Sequence, residues 1–321
     1  MKVLNLSRYA LCSCVAAAML AGCGGSQPPI GAPGAMPQAS TNGTHAARGW
    51  SWMLAKLSMD DLIYAVGGCG GTCVLSYPSG TLVGSLNVGL SGACVDSHGH
   101  VFITNNATVV EYAHGDSTPI ETLTLPGDAA IGCSVDPTTG NLAVIFNGTT
   151  VGVAIFPGAQ GTPMLYAAGS DSQYCGYDDA GNLFVDGYVY GQFVLTELQK
   201  GSSSFATLSV NGSIGFAGQV QWDQRYLTVL GGDNRAVKLF FLRASGSTAT
   251  IVKTTNLNGI KFAYQSWIYS KKIFIPFASH GTPAKKIGIW NALNGRKIAN
   301  LKDFGSKDFL NIQGVAFSPG P

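Results

Sequence analysis

One phrase recurs along this chain and restricts its fold more than any other feature. Its clearest copy is Gly132-Cys133-Ser134-Val135-Asp136-Pro137-Thr138-Thr139-Gly140-Asn141-Leu142-Ala143-Val144. A short apolar run ends at Asp, a turn closing on Gly follows, and a second apolar run departs. Asp and Pro suit the first two positions of a type I turn, and Gly accepts the positive φ that comes next, so the chain reverses into a hairpin. Two more copies are plain: Cys94-Val95-Asp96-Ser97-His98-Gly99-His100-Val101-Phe102 and Cys175-Gly176-Tyr177-Asp178-Asp179-Ala180-Gly181-Asn182-Leu183-Phe184. Looser ones lie at Val220-Gln221-Trp222-Asp223 and Ser266-Trp267-Ile268-Tyr269, and Gly314-Val315-Ala316-Phe317-Ser318 is cut short by the C-terminus.

The turn anchors fall at 96, 136, 178, 223, 268 and 318. A period of roughly 40 to 50 residues built from short strands signals a β-propeller with about four strands per blade. Helical solenoids have similar periods, but these segments are rich in Val, Ile, Phe, Tyr and Thr and punctuated by Gly, which favours strands. The spacing predicts an all-β fold, a six-bladed β-propeller, with five or seven blades as alternatives. The segments Leu62-Ile63-Tyr64-Ala65-Val66, Cys73-Val74-Leu75-Ser76-Tyr77 and Thr81-Leu82-Val83-Gly84-Ser85-Leu86 make three strands with no inner strand before them. Residues 314–317 supply the missing one, so the C-terminal strand joins the N-terminal blade and closes the ring, leaving no free edge at the seam.

Before this body, residues 1–23 read as an export signal. Lys2 and Arg8 precede an apolar run from Leu11 to Leu20 that is too short to span a bilayer. The run ends in Leu20-Ala21-Gly22-Cys23, followed by Gly24-Gly25-Ser26, which resembles the lipobox of bacterial lipoproteins. The resemblance implies cleavage before Cys23, acylation (palmitate) of its thiol and new amino group, and a protein lipid-anchored to the cell envelope, facing periplasm or exterior. An ordinary secretory signal with a chance Cys is the alternative. Residues 24–57 are assigned as a flexible tether: 24–49 are Gly, Pro, Ala, Ser and Gln with almost no charge, unable to build a core. The apolar stretch from Gly49 to Leu57 is expected to pack on the body as a short helix or strand, with contact to a partner as the alternative. The propeller domain is residues 58–321.

The strand–Asp–turn–Gly–Asn–Leu–strand pattern, with Tyr77-Pro78-Ser79-Gly80 between outer strands, is similar to NHL- and YVTN-type propellers, in particular bacterial lipoproteins of that shape, over about residues 60–321. The resemblance implies architecture and no single function, because propellers host binding proteins, lyases, lactonases and scaffolds. The expected function is a binding or scaffolding module of the envelope; a lyase or lactonase with its site in the central channel is the other reading.

Charge is unevenly placed. Residues 50–200 hold 13 acids and 2 bases, whereas 201–321 hold 4 acids and 14 bases. On a ring this makes one arc acidic and the opposite arc basic. Uneven solubility accounts for that pattern; so does oriented docking of the basic 225–307 arc on another envelope protein or an anionic surface. No DNA- or RNA-binding motif is present, and nucleic acid is not an expected partner.

Five cysteines lie in the body, and an exported compartment permits disulfides. Cys69 and Cys73 flank a Gly-rich turn, so a disulfide between them is expected over two free thiols. Cys133 and Cys175 each stand three residues before a turn Asp and Cys94 two. Equal register puts Cys133 and Cys175 at one height, where they pair if their Cα atoms come within about 7 Å, with Cys94 pointing to the other side of its strand. The alternative is that all three are small buried apolar residues.

Residues with chemistry are few. His98-Gly99-His100 sits in a turn and reads as two solvated histidines. Asp178 and Asp179 have turn roles. Asp186, near the end of a second strand, can reach a ligand-binding face together with Tyr188 and Tyr190, although no calcium-loop signature accompanies them. Gly-x-Ser-x-Gly is absent, the cysteines lack zinc spacing, and a lyase base at His114 or His280 would have to stand at the channel mouth. No catalytic residue, metal or cofactor is assigned.

Overall fold

The computed structural model describes residues 51–321 except 56, 58, 128, 149–150, 170, 234–235, 261–262, 264, 278–283 and 302–310. Cys23, residues 1–50 and His280 lie outside the described residues. Among the described residues the body is all-β with one short 3-10 turn, Pro157–Ala159. In chain order the strands are β1 (Trp52–Met53), β2 (Asp61–Val66), β3 (Thr72–Tyr77), β4 (Leu82–Leu86), β5 (Ala93–Val95), β6 (Val101–Asn105), β7 (Thr108–Tyr112), β8 (Pro119–Thr124), β9 (Ala129–Val135), β10 (Leu142–Asn147), β11 (Gly152–Phe156) and β12 (Met164–Tyr166). They continue as β13 (Asp171–Tyr177), β14 (Leu183–Val189), β15 (Gln192–Leu198), β16 (Ala206–Val210), β17 (Val220–Trp222), β18 (Leu227–Asp233), β19 (Ala236–Ser245) and β20 (Thr248–Leu257). The last are β21 (Trp267–Tyr269), β22 (Lys272–Phe277), β23 (Lys286–Asn291), β24 (Lys297–Leu301) and β25 (Gly314–Ser318).

The arrangement is propeller-like. β5–β8, β9–β12 and β21–β24 are four-stranded antiparallel meanders, each its own sheet. The next sheet has eight strands: β13–β16 and β17–β20 are two such meanders joined where β16 runs parallel to β20 through Ser209↔Thr248 and Val210↔Ala249. Six separate sheets were expected from the repeat; four small sheets and one near-barrel sheet are found. The cause is the length of the β19–β20 hairpin. Its strands are ten residues each, so its tip overshoots Leu227, the start of β18, and meets β16.

The remaining sheet runs β1-β4-β3-β2-β25. β25 pairs with β2 from Leu62↔Ser318 to Val66↔Gly314, and all five of its residues are buried. β1 adds an outer strand through Trp52↔Ser85 and Met53↔Gly84, and Asn87 N–H donates to Ser51 Oγ at 3.0 Å. Residues 51–54 therefore lie against the body, within the stretch assigned to the tether.

Middle strands are covered on both faces and read as unbroken apolar runs such as Leu142–Asn147, as sheets packed on two sides require. Outer strands such as β24 are exposed along most of their length. Among the described residues the core forms six apolar clusters, each between neighbouring meanders. The first joins Tyr64 and Val74 to Ile103 and Tyr112, and another closes the circuit by joining Ile63 and Phe317 to Phe274 and Ile289.

Both disulfides lie in this framework. Cys69 is bonded to Cys73, with Cα atoms 5.4 Å apart. Cys133 is bonded to Cys94 (Cα–Cα 5.6 Å), and Cys175 is a buried free thiol. This differs from the candidate Cys133–Cys175 pairing, and the reading of all three as unpaired buried residues holds for Cys175 alone. Strand side chains alternate sides, so residues at equal register on successive strands point the same way round and cannot meet. The Sγ of Cys133 lies 3.7 Å from the Phe102 carbonyl and that of Cys175 lies 3.9 Å from the Ala143 carbonyl, equivalent places on the preceding meander. Cys94, offset by one, points forward and meets Cys133.

Candidate functional site: the turn face and the filled axis

The repeated Asp residues build their turns. The Oδ1 of Asp96 accepts the N–H groups of His98 and His100, both at 2.8 Å. Asp178 does the same for Ala180 and Asn182, and Asp223 for Arg225 and Tyr226. Asp136 accepts the Thr138 N–H and the hydroxyls of Thr138 and Thr139. Burial alone would raise its pKa, but those hydroxyls, the N–H and nearby Lys200 together hold it below the usual carboxylate range. Gly99, Gly140 and Gly181 take φ of 85°, 73° and 85°. Where Asp is lost, Ser270 and Lys271 carry the positive φ themselves.

These turns share one end of the body, tied by contacts between neighbours. His114 bonds Ser318 Oγ through Nδ1 at 2.6 Å and donates through Nε2 to the Asp60 carbonyl at 2.9 Å. Lys200 Nζ donates to Thr138 Oγ1 and Lys272 Nζ to the Tyr77 hydroxyl, each at 2.8 Å. His98 is the more solvated of the two turn histidines; His100, about a third exposed, has its Nδ1 2.7 Å from Glu111 Oε1. The signal for that pair was the hairpin register, which sets Val101 opposite Tyr112 and so brings their neighbours together.

Beneath the face, the axis is filled. Four residues before their turns stand Gly92, Gly132, Tyr174, Gln219 and Gly314, and three before its turn stands Gln265. Large side chains on one half meet glycines on the other. The Gln265 amide accepts the Ala93 N–H at 3.1 Å and donates to the Ala93 carbonyl at 2.9 Å. A Cβ on Gly314 would collide with its Oε1, and one on Gly132 would stand 3.1 Å from the Tyr174 ring. Two residues further on, Trp267 packs against three of the six clusters at once. Gln221 pairs with the N–H and carbonyl of Ile268 at 2.7 and 2.9 Å. None of these described positions carries His or a carboxylate.

Of the residues expected on a ligand face, Asp186 and Tyr188 meet on a buried segment and Tyr190 stands apart from them. Asp186 is fully buried; it accepts the Tyr174 and Gly218 N–H groups at 2.9 and 3.1 Å. Burial drives its carboxyl well above the ordinary range, and those N–H groups offset only part of that. The Tyr188 hydroxyl accepts the Ala217 N–H at 2.7 Å. Tyr190 stands fully exposed in a turn. Asp186 and Tyr188 therefore clasp the segment leading into β17. Burial also pushes the Cys175 thiol up, against reactivity. Among the described residues no three His, Cys, Asp or Glu side chains form a metal site.

The face is acidic at four turns, mixed at a fifth and basic at the sixth, with Lys200 among the acidic ones. Going round it, the turns carry Asp60 and Asp61, then Asp96, Asp136, Asp178 with Asp179, then Asp223 with Arg225, then Lys271 and Lys272. The cations rest on aromatic rings. Arg225 and Arg243 lie 5.1 and 5.7 Å from the Tyr226 centroid, Lys272 5.2 Å from Tyr77, and Lys297 4.3 Å from Phe277. Among the described residues, none of these four is within ion-pair distance of a carboxylate.

No known protein family matches the chain, and no curated protein matches it. Solved structures do. One is the nidogen β-propeller from a nidogen/laminin complex, 11% identical with a TM-score of 0.62, over 81% of this chain and 98% of that one. Another is a protein of unknown function from Bacteroides caccae, 12% identical with a TM-score of 0.56, over 81% and 99%. At such identity the likeness concerns fold alone, and the fold is that of a β-propeller body.

Proposed function

We propose that this protein is an exported, lipid-anchored, six-bladed propeller of NHL/YVTN type that acts as a binding or scaffolding module in the cell envelope. The six-blade reading takes the eight-stranded sheet as two blades fused at their outer strands, and the six inter-meander clusters support it. The Leu20-Ala21-Gly22-Cys23 lipobox supports the anchor, and the two disulfides suit an oxidising compartment. One observation carries the binding role: the axis is filled by Tyr174, Gln265 and Trp267, so the accessible chemistry is the turn face with its cations held on aromatic rings. Rigid scaffolds place function on such turns. The partner on the basic 225–307 arc is another envelope protein or an anionic surface. Cys23→Ser should move the protein from the membrane to the soluble fraction, and retention in the membrane would reject the anchor. Capture of partners from native envelope should weaken steeply between low and high salt; capture indifferent to salt would reject the arc as the contact.

A further inference from the structure

The outer wall of two neighbouring meanders combines charge and exposed apolar groups in a way that suits one occupant. We propose that the wall made by β20, the β23–β24 turn and β24 lies against an anionic lipid bilayer. The inference deepens the envelope reading above, whose basic arc it narrows to one wall, and it rests on that reading.

Between Asp233 and Asp303 the sequence has no Asp or Glu and twelve Lys or Arg. That stretch builds β19 to β24, so no carboxylate on those strands offsets their cations. β20 and β24 are the outer strands of adjacent meanders, which share one apolar cluster. The Thr255 hydroxyl of β20 donates to the Leu293 carbonyl of the β23–β24 turn at 3.3 Å, and a Cβ on Gly295 of that turn would collide with the Asn256 carbonyl. The two meanders therefore present one continuous wall. Its exposed cations are Arg243, Lys253, Arg296 and Lys297. Three of them rest on rings of the same wall: Arg243 on Tyr226, Lys253 at 5.3 Å from the Phe241 centroid, and Lys297 on Phe277 and Trp290.

Exposed aliphatic side chains stand among these cations. Val252 precedes Lys253, Leu293 shares its turn with Arg296, and Ile298 follows Lys297; they are 42%, 42% and 48% exposed. An acidic polymer in solution would engage the cations and leave those three side chains in water. A bilayer surface takes both, because its headgroups are anionic and the layer beneath them is apolar. The outer strand β8 shows the contrast: its exposed Ile120 stands beside Glu121, which an anionic surface repels. An acyl group on Cys23 would already hold the body near a bilayer, so contact at the wall is an intramolecular event that needs little affinity of its own. The wall then sets which side of the body meets the lipid and turns the acidic meanders towards water.

The test is sedimentation of the full chain carrying Cys23→Ser with vesicles of phosphatidylcholine mixed with phosphatidylglycerol, against vesicles of phosphatidylcholine alone. Binding to the anionic vesicles should be at least about tenfold tighter than to the neutral ones, and should fade towards about 1 M salt, where charge acts over only about 3 Å. Each basic side chain near an anionic bilayer is worth roughly a fivefold change in affinity, so Arg243→Gln with Lys297→Gln should weaken binding about 25-fold. Val252→Ser with Ile298→Ser should weaken it by about fivefold or more. All four are surface changes that leave the melting temperature in place. Asp179→Asn, on the acidic side, should leave binding unreduced. No binding to the anionic vesicles, equal binding to neutral ones, or indifference to the Gln pair would overturn the proposal. Indifference to the Ser pair would also overturn it, in favour of an acidic protein or polymer as the occupant. Every arm lacks Cys23, so failure of the wall leaves the membrane retention of the unaltered chain standing, and failure of the anchor leaves the vesicle result standing.

Discussion

Phe317→Ala tests the seam between the two ends of the body. Phe317 is 1% exposed and lies on β25, opposite Ile63 of β2. Its ring stacks on Tyr269 at 4.3 Å, lies 5.1 Å from Phe274, and meets the edge of Tyr77 at 5.4 Å. One side chain from the C-terminal strand therefore packs on β3, β21 and β22. Truncating a buried Phe costs about 3–5 kcal/mol. Each aromatic pair carries about 0.5–1.5 kcal/mol beyond its area, which places this site towards the upper end. For a body of this size, about 2–4 °C is lost per kcal/mol, so thermal unfolding followed by circular dichroism should shift down by about 6–20 °C. Ile298→Ala is the control: Ile298 is 48% exposed on the outer strand β24, and its removal should change stability by no more than about 0.5 kcal/mol. A Phe317→Ala shift under about 2 °C, or one equal to the control, would refute closure through β25.

Two further outcomes are expected. Closing a loop of about 40 residues, the Cys94–Cys133 bond restricts the unfolded chain more than the Cys69–Cys73 bond does. Replacing the first pair by Ser should cost about 4 kcal/mol and the second about 2. Peptide mapping without reductant should show both bonds, with Cys175 alkylated only after unfolding; a Cys133–Cys175 peptide would overturn the assignment. The raised carboxyl of Asp186 gives a pH signature. The unfolded carboxyl ionises near about pH 4 while the folded one stays protonated, so its contribution is fully present below that pH and is lost as pH rises. Asp186→Asn leaves one buried N–H without its acceptor at every pH, but its stability relative to wild type should improve from pH 4 to 7; a flat difference would reject the shift.

Much of the architecture was open to reading because it is local. Asp136 with Gly140, and Asp178 with Gly181, make turns from residues four or fewer apart. The absent inner strand before Leu62 pointed to residues 314–317, since strands left unpaired must find an edge. The turn at 69–73 likewise carried its disulfide within five residues. The Cys94–Cys133 bond was legible in principle from parity: cysteines one register step apart on neighbouring inner strands face each other, and equal register forbids pairing. The fusion of β16 with β20 was not legible, because it depends on how far a ten-residue hairpin overhangs the strand beside it.

The division has a physical basis. Period, turn chemistry and apolar alternation act between residues near in sequence, so the chain alone settles that it is a circuit of small antiparallel meanders with charge sorted by position. Which side chains meet across the axis is set by the twist and approach of strands far apart in sequence. Gln265 reaches the backbone of Ala93 over Gly314, Tyr174 lies against Gly132, and Asp186 turns inward to hold Gly218. Only the tertiary structure decides those meetings. They carry side chains across the axis and withdraw Asp186 from the surface.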